Sequence, residues 1–292
     1  MTIRAIVVGG TSGIGYAMAC RIAAASPPTA TILISGRTKP ANIPHPNMEF
    51  RALDATSMRE IKRYTDRLRS SSSSAPKPNL DLLVMSQGIM NTAPRTETPE
   101  GIDRKMALHY YGKQLLIREL LPLLTDTARI VIVYDGWLGS PDKLLWSDLD
   151  LKQNFSLGKA ADHCMSMTDG MVQWWAAKQA EDGMGRKRSF VHAWPGGVNT
   201  GLLREIVPSF LHGTVRVVGG LLLTSPETCA ERLLSGVEKY AEEGRAWSNI
   251  NNKGRLFSAK VVWSTEQMGL VADHTWEILD KALATRDGTV EG

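Results

Sequence analysis

Three stretches of this 292-residue chain carry residues whose types and spacing could do chemistry. The first is "GGTSGIG", residues 9–15, directly after the apolar run "RAIVV". Gly9, Gly13 and Gly15 have the spacing of a tight turn that lets a pyrophosphate approach the backbone and a helix pack close on a strand. The helix that follows offers free N–H groups and a positive dipole end to phosphates, with Thr11, Ser12 and Ile14 in or beside the turn. The second stretch is "ISGRT". Gly36 stands where an NAD-preferring site keeps an acidic residue for the ribose 2′-hydroxyl. Arg37 follows, and a guanidinium favours a 2′-phosphate that a carboxylate would repel. The pair predicts NADP(H) as cofactor. The third is "NFSLGKAADHCMSM", residues 154–167. As a helix it aligns Phe155, Lys159, His163 and Met167 along one side. His163 could exchange a proton near neutrality, and Lys159 one turn earlier would discourage it from charging. That side is either a catalytic surface or a core face with two polar residues near its edge.

The elements that must position these groups alternate along the chain. "RAIVVG", "TATILISG", "MEFRALD", "LDLLVMS", "ARIVIVY" and "SFVHAW" read as strands. Between them run helical patterns, including a long one over 99–124. Two closing helices follow over 225–244 and 264–284, the first starting with Ser225 and Pro226. Apolar, β-branched strands separated by helices predict a parallel sheet covered on both faces. The expected architecture is a single α/β domain over 1–292: a three-layer, doubly wound Rossmann fold of about seven parallel strands. Its strand order should be 3-2-1-4-5-6, with a seventh strand besides. The serine run from Ser70 to Ser74 with "APKPN" reads as a surface loop. The apolar, glycine-containing segment 201–224 reads as a flap over the substrate.

Composition narrows the function classes. A hydrophobic fraction of 43% and a net charge of +4 fit an ordinary soluble chain. There is no basic block interleaved with aromatics, so nucleic-acid binding has little support. The longest later apolar run, around "VRVVGGLLLT", falls short of the roughly 20 residues a membrane span needs. Cys20, Cys164 and Cys229 are odd in number and far apart, which fits a reducing, cytoplasmic setting without disulfides or a CxxC metal site.

Gly9-x-x-x-Gly13-Ile14-Gly15, Asp54 after the third strand and "WPGGVNT" after the sixth resemble the short-chain dehydrogenase/reductase family over nearly the whole chain. "SDLDL" and "HTWEILDKAL" resemble its retinol-dehydrogenase-like branch, and the whole is similar to fungal reductase-like proteins. The resemblance implies that Asp54 and Ala55 lie by the adenine. It implies that Ser86, Gln87 and Gly88 pass under the adenine ribose, and that Pro195, Gly196, Val198 and Thr200 flank the nicotinamide. It also implies a small-molecule substrate and the possibility of a homo-oligomer.

The chemistry end departs from the family. Its Tyr-x-x-x-Lys is missing: none of the tyrosines at 16, 64, 110, 111, 134 and 240 has lysine four residues on. Depending on the alignment, Phe155, Ala161 or His163 takes the tyrosine's position. The family's serine falls at Tyr134-Asp135 and its helical asparagine at His109. A positioned general acid is typically worth about 10² to 10⁴ in rate, so the candidates are His163, Asp135, Tyr134, His109 and Lys159. Trp137 and Trp194, at strand ends, suit the lining of a pocket for a bulky apolar or polycyclic ligand. Trp174 and Trp175 suit packing or an interface. The expected function is an NADPH-dependent reductase of a bulky specialised metabolite, with an unusual proton donor or an acceptor that needs none. The alternatives are a redox-neutral isomerase, cyclase or dehydratase, or a non-catalytic NADP(H)-binding protein.

Overall fold

The computed structural model of the chain describes residues 2–70, 79–200 and 223–284. Among these, the strands are β1 (Thr2–Val8), β2 (Ala30–Gly36), β3 (Met48–Ala52), β4 (Leu80–Met85), β5 (Leu124–Val133), β6 (Ser189–Ala193) and β7 (Trp247–Ile250). They form one sheet in the order β3-β2-β1-β4-β5-β6-β7, and every neighbouring pair is parallel. The doubly wound sheet, its order and its seventh strand are as expected. Residues 71–78, which hold most of the serine loop, and 201–222 of the expected flap lie outside the described residues.

Alternate residues of each strand serve opposite faces. Ile6, Val8, Leu33, Ile130, Ile132 and Phe190 join one apolar core, while Ala5, Val7, Ile32, Ile34, Val131 and Val191 join the other. Each fully buried Val, Ile or Leu side chain contributes about 1.5–3 kcal/mol, so both faces must be covered. The helices α1 (Gly13–Ala25) and α6 (Pro226–Glu242) cover one face. The other is covered by α2 (Met58–Ser70), α4 (Gly112–Leu120), α5 (Leu157–Glu181) and α7 (Thr265–Ala284), with the short α3 (Arg104–Met106) leading into α4. Ser225 caps α6 through the Thr228 N–H at 3.1 Å, with Pro226 in the first turn.

The long helix expected over 99–124 is broken. It starts behind Asp103, whose Oδ1 accepts the N–H groups of Lys105 and Met106 at 3.0 and 3.1 Å. A π-helical turn over Ala107–Tyr111 then precedes α4, and β5 already begins at Leu124. Gly112 explains the close fit at this break: a Cβ there would lie 2.7 Å from the Ala55 carbonyl oxygen. The glycine lets the helix rest on the backbone that follows β3.

Helix α7 packs across α4 and α5. Trp276 lies 5.6 Å from both Trp174 and Trp175, ring centre to ring centre. Tyr110 Oη and Thr275 Oγ1 are 2.6 Å apart, and Arg118 pairs with Asp280 at 2.7 Å. The adjacent tryptophans are therefore packing groups within the chain.

Candidate active site

The carboxyl ends of β1, β2 and β4 open onto a cavity of about 350 Å³. Gly9, Thr11, Ser12, Gly13, Ile14, Gly15, Arg37, Asp54, Ala55, Ser86, Gln87, Gly88 and Thr200 all line it. The glycines are required locally. Gly9 and Gly13 have φ of +80° and +54°, where side chains strain the backbone. A Cβ on Gly15 would lie 2.1 Å from Ser86 Oγ and 2.4 Å from the Gly9 carbonyl oxygen. Removing those Cβ atoms brings β1, α1 and the β4 exit together and leaves the cradle open. Ser12 is the N-cap of α1 and makes no side-chain bond to the first turn, so the amide donors there remain available to a ligand.

Pro195, Gly196 and Val198 do not line this cavity. Gly196 has φ +69°, and Val198 pairs with Thr224. The segment reaches the cradle only at Thr200, whose Cγ2 would lie 3.2 Å from a Cβ on Gly13. Arg104 and Leu108 join the lining unforeseen. Their spacing of four at the start of the helix after β4 was the available signal.

Behind Gly88, outside the residues that line the cavity, lies a largely buried polar cluster. His109 sits in the π-helical turn, with Nε2 2.9 Å from the Ile89 carbonyl oxygen, and its Cε1 would lie 3.0 Å from a Cβ on Gly88. Burial, reinforced by the neighbouring Lys113, pushes its pKa down to about 3, so the ring is neutral across the working range. One turn on, Lys113 is fully buried; its Nζ donates to the Val133 carbonyl oxygen at 3.2 Å and lies 5.1 Å from the Tyr134 ring centre. Burial lowers its pKa to about 7. The Tyr134 ring lies 4.8 Å from the His109 ring and 6.4 Å from that of His192, nearly parallel to the latter. His109 Nδ1 and His192 Nε2 are buried with no partner among the described residues.

The six phenols differ in what holds them. Tyr16 donates to the Asn42 carbonyl oxygen, Tyr64 bonds Ser35, Tyr110 bonds Thr275, Tyr111 bonds His274, and Tyr240 accepts from the Leu256 N–H. Among the described residues, only the Tyr134 hydroxyl has no such partner. Burial raises its pKa well above the usual phenol value, so it stays protonated at neutral pH.

The model of the short chain dehydrogenase family matches residues 4–134, from β1 through the end of β5. The chain belongs to the short-chain dehydrogenase/reductase family. Among its relatives, oxidoreductase AN1596 of Emericella nidulans is 33% identical over 218 residues, covering 71% of this chain and 62% of that protein. The NmrA-like family domain-containing oxidoreductase notO of an Aspergillus species is 32% identical, covering 68% of this chain and 62% of that protein. The chain thus spans about three fifths of the length of these relatives. Its fold is that of NADPH-bound carbonyl reductase from chicken fatty liver, with TM-score 0.59, 16% identity and coverage of 89% and 100% of the two chains. It is also that of a short chain dehydrogenase from Burkholderia cenocepacia in complex with NADP, with TM-score 0.57, 16% identity and coverage of 86% and 96%.

For a short-chain dehydrogenase/reductase, α5 lacks the Tyr-x-x-x-Lys pair, and the expectation for its histidine is corrected. His163 is fully buried, with Nδ1 3.0 Å from the Leu149 carbonyl oxygen and Nε2 accepting the Leu145 N–H at 3.0 Å. Both nitrogens are spent on the 145–149 backbone, and burial pulls the ring's pKa down. It pins α5 to the 145–149 backbone. Phe155 lies ahead of the Ser156 cap, Lys159 is exposed in the first turn, and Met167 is buried in the core. The side carrying His163 and Met167 is a core face, with Lys159 at its exposed end. Asp135 is half-buried, and its Oδ1 accepts the Trp137 N–H at 2.9 Å, closing a turn. Of the expected catalytic residues, the structure brings His109 and Tyr134 together and leaves His163 and Lys159 apart. Lys113 and His192 were not foreseen; lysine four residues after His109 was the signal for the first.

Proposed function

We propose that this chain is an NADP(H)-dependent oxidoreductase acting on a bulky specialised metabolite, with Tyr134 as its proton donor. The single observation that carries the reading is the open glycine cradle, whose lining combines Gly9, Gly13 and Gly15 with Arg37 and Asp54. A dinucleotide fits that donor set: amides at the start of α1 for the pyrophosphate, and a guanidinium at the end of β2 for a 2′-phosphate. When bound, NADPH would supply a hydride to an unsaturated carbon of the substrate. The names of the relatives, all oxidoreductases, and of the NADP-bound structural neighbours agree with this.

The chain's own residues then handle the proton. Tyr134 stands at the carboxyl end of β5, where open α/β sheets meet ligands. Its phenol is protonated, has no hydrogen-bond partner among the described residues and could give its proton to a developing alkoxide. His109 holds the Ile89 backbone at the cavity wall, a positioning task that its neutral ring performs at any working pH. Lys113 stands beneath the Tyr134 ring as a second proton-carrying group.

The test is a single turnover with NADPH and a bulky conjugated ketone, followed at the reduced nicotinamide absorbance. Tyr134→Phe should slow the absorbance loss by about 10²- to 10⁴-fold with NADPH affinity intact. A full-speed variant removes Tyr134 from the role. Product formed without absorbance loss favours the redox-neutral alternative, an isomerase, cyclase or dehydratase, which the absence of Tyr-x-x-x-Lys also supports.

A further inference from the structure

Three aromatic side chains stand together at the carboxyl ends of β5, β6 and β7. Trp137 and Trp194 lie 5.1 Å apart, and Phe257 lies 6.3 and 6.1 Å from them, ring centre to ring centre. The planes of Trp137 and Phe257 are within 12° of parallel, and Trp194 is tilted across the pair. Trp137 remains 56% exposed despite these neighbours. A tryptophan left this open forgoes much of the burial that normally repays such a large ring. In the chain, Trp137 is three residues after Tyr134, the proposed proton donor, and Trp194 directly follows β6.

The backbone under Trp137 is held by an unusual device. The Asp169 carboxylate of α5 is 1% exposed. Its Oδ1 accepts from His192 Nδ1 at 2.6 Å and from Asn249 Nδ2; its Oδ2 accepts from Lys260 Nζ. Asn249 Nδ2 also donates to the Gly136 carbonyl oxygen at 3.3 Å. Lys260 Nζ also donates to the carbonyl oxygens of Gly139 and Trp137, at 3.0 and 3.4 Å. The carboxylate packs so closely that a Cβ on Gly139 would lie 2.3 Å from Oδ2. Desolvating a carboxylate and an ammonium together costs several kcal/mol per ion before their attraction offsets it. An apolar contact would close a passive surface loop at less cost. Here the carbonyls of Trp137 and Gly139 accept from the buried Lys260 ammonium, and that of Gly136 accepts from the Asn249 amide that also holds the Asp169 carboxylate.

We infer that Trp137, Trp194 and Phe257 form the recognition platform for a flat conjugated ring of the substrate, and that Asp169 is the positioning residue that fixes that platform through Lys260 and Asn249. A planar π-system extends a near-parallel pair of rings, whereas a puckered saturated ring of equal size offers no π face. This inference rests on the oxidoreductase reading for what happens to the ligand, but the binding step stands apart from it.

The experiment uses the full chain with saturating NADPH and two probes on one carbon frame, 1-tetralone and 1-decalone. Binding is read by calorimetry and turnover by nicotinamide absorbance. Tetralone should bind about tenfold more tightly than decalone. Trp137→Leu, at an exposed position, should remove that preference by weakening tetralone alone, with NADPH affinity unchanged. Lys260→Met should remove the same preference, raising KM for tetralone more than it lowers kcat, and Lys260→Arg should restore part of it. Lys260→Met serves beside Asp169→Asn in case the latter fails to fold. Equal binding of the two ketones, no binding of either, or a preference that survives Trp137→Leu overturns the platform. A preference that survives Lys260→Met overturns the role of Asp169. Selective tetralone binding without absorbance loss supports the platform while removing the reductase reading.

Discussion

Replacing Lys113 by methionine should stabilise the protein, and by an amount that depends on pH in a direction the structure dictates. Lys113 is fully buried in α4 beneath Tyr134, and its pKa is lowered from 10.5 to about 7, mainly by loss of hydration. Its folded-state pKa is therefore below its unfolded one. Below pH 7 the amine is protonated in both states, and the folded protein bears the full cost of the buried charge. As pH rises from 7 towards 10.5, the folded chain releases the proton while the unfolded chain keeps it, so wild-type stability rises. A shift of this size corresponds to roughly 4–5 kcal/mol at 1.36 kcal/mol per unit. Methionine has no charge to bury and similar length, and the Val133 carbonyl loses one donor, worth about 1 kcal/mol. Urea unfolding of both proteins from pH 6 to pH 9.5 measures the difference. The expected result is a Lys113→Met advantage that shrinks by about 3 kcal/mol across that range. A difference independent of pH, or one that grows with pH, would refute a desolvated amine at this site.

Three further outcomes are expected. Arg37→Glu should turn an NADPH preference into an NADH preference, read as the ratio of their dissociation constants, because a carboxylate there repels the 2′-phosphate and can bind the ribose hydroxyl. His163→Leu should keep its turnover rate while losing roughly 2–4 kcal/mol of unfolding free energy, since it strands the part-buried Leu145 N–H and the buried Leu149 carbonyl. Loss of turnover in a folded His163→Leu protein would contradict its assignment as a pin. The pH profile of kcat should show no inflection from His109 between pH 5 and 8, because its pKa stands at about 3. An inflection that disappears in His109→Gln would contradict that.

The parts of this fold legible in sequence were those written in continuous patterns. The β-branched runs of β1, β2, β4, β5 and β6 announced strands buried on both faces, and the glycine spacing announced the cradle. Strand β7 is four residues long, with Ser248 and Asn249 at its centre, so no apolar run marks it. The π-helical turn before Gly112 depends on contact with Ala55, which helical periodicity cannot reveal. The sequence leaves the role of His163 open between a catalytic surface and a core face for a related reason. Spacing says which residues share a helix face but not what that face meets, and here it meets the backbone of 145–149. The Asp169 hub was invisible because its members come from α5, β6, β7 and the segment after β7, and each alone reads as an isolated polar residue.

The measurement that bears most directly on the nucleotide cradle is an equilibrium titration of the full chain with NADPH and NADH, by nicotinamide fluorescence. Saturable binding of NADPH, tighter than NADH and abolished in a folded Gly15→Ala protein, is the predicted result, since the added methyl would press on Ser86 Oγ and the Gly9 carbonyl. No binding of either nucleotide, or unchanged binding in Gly15→Ala, would contradict it.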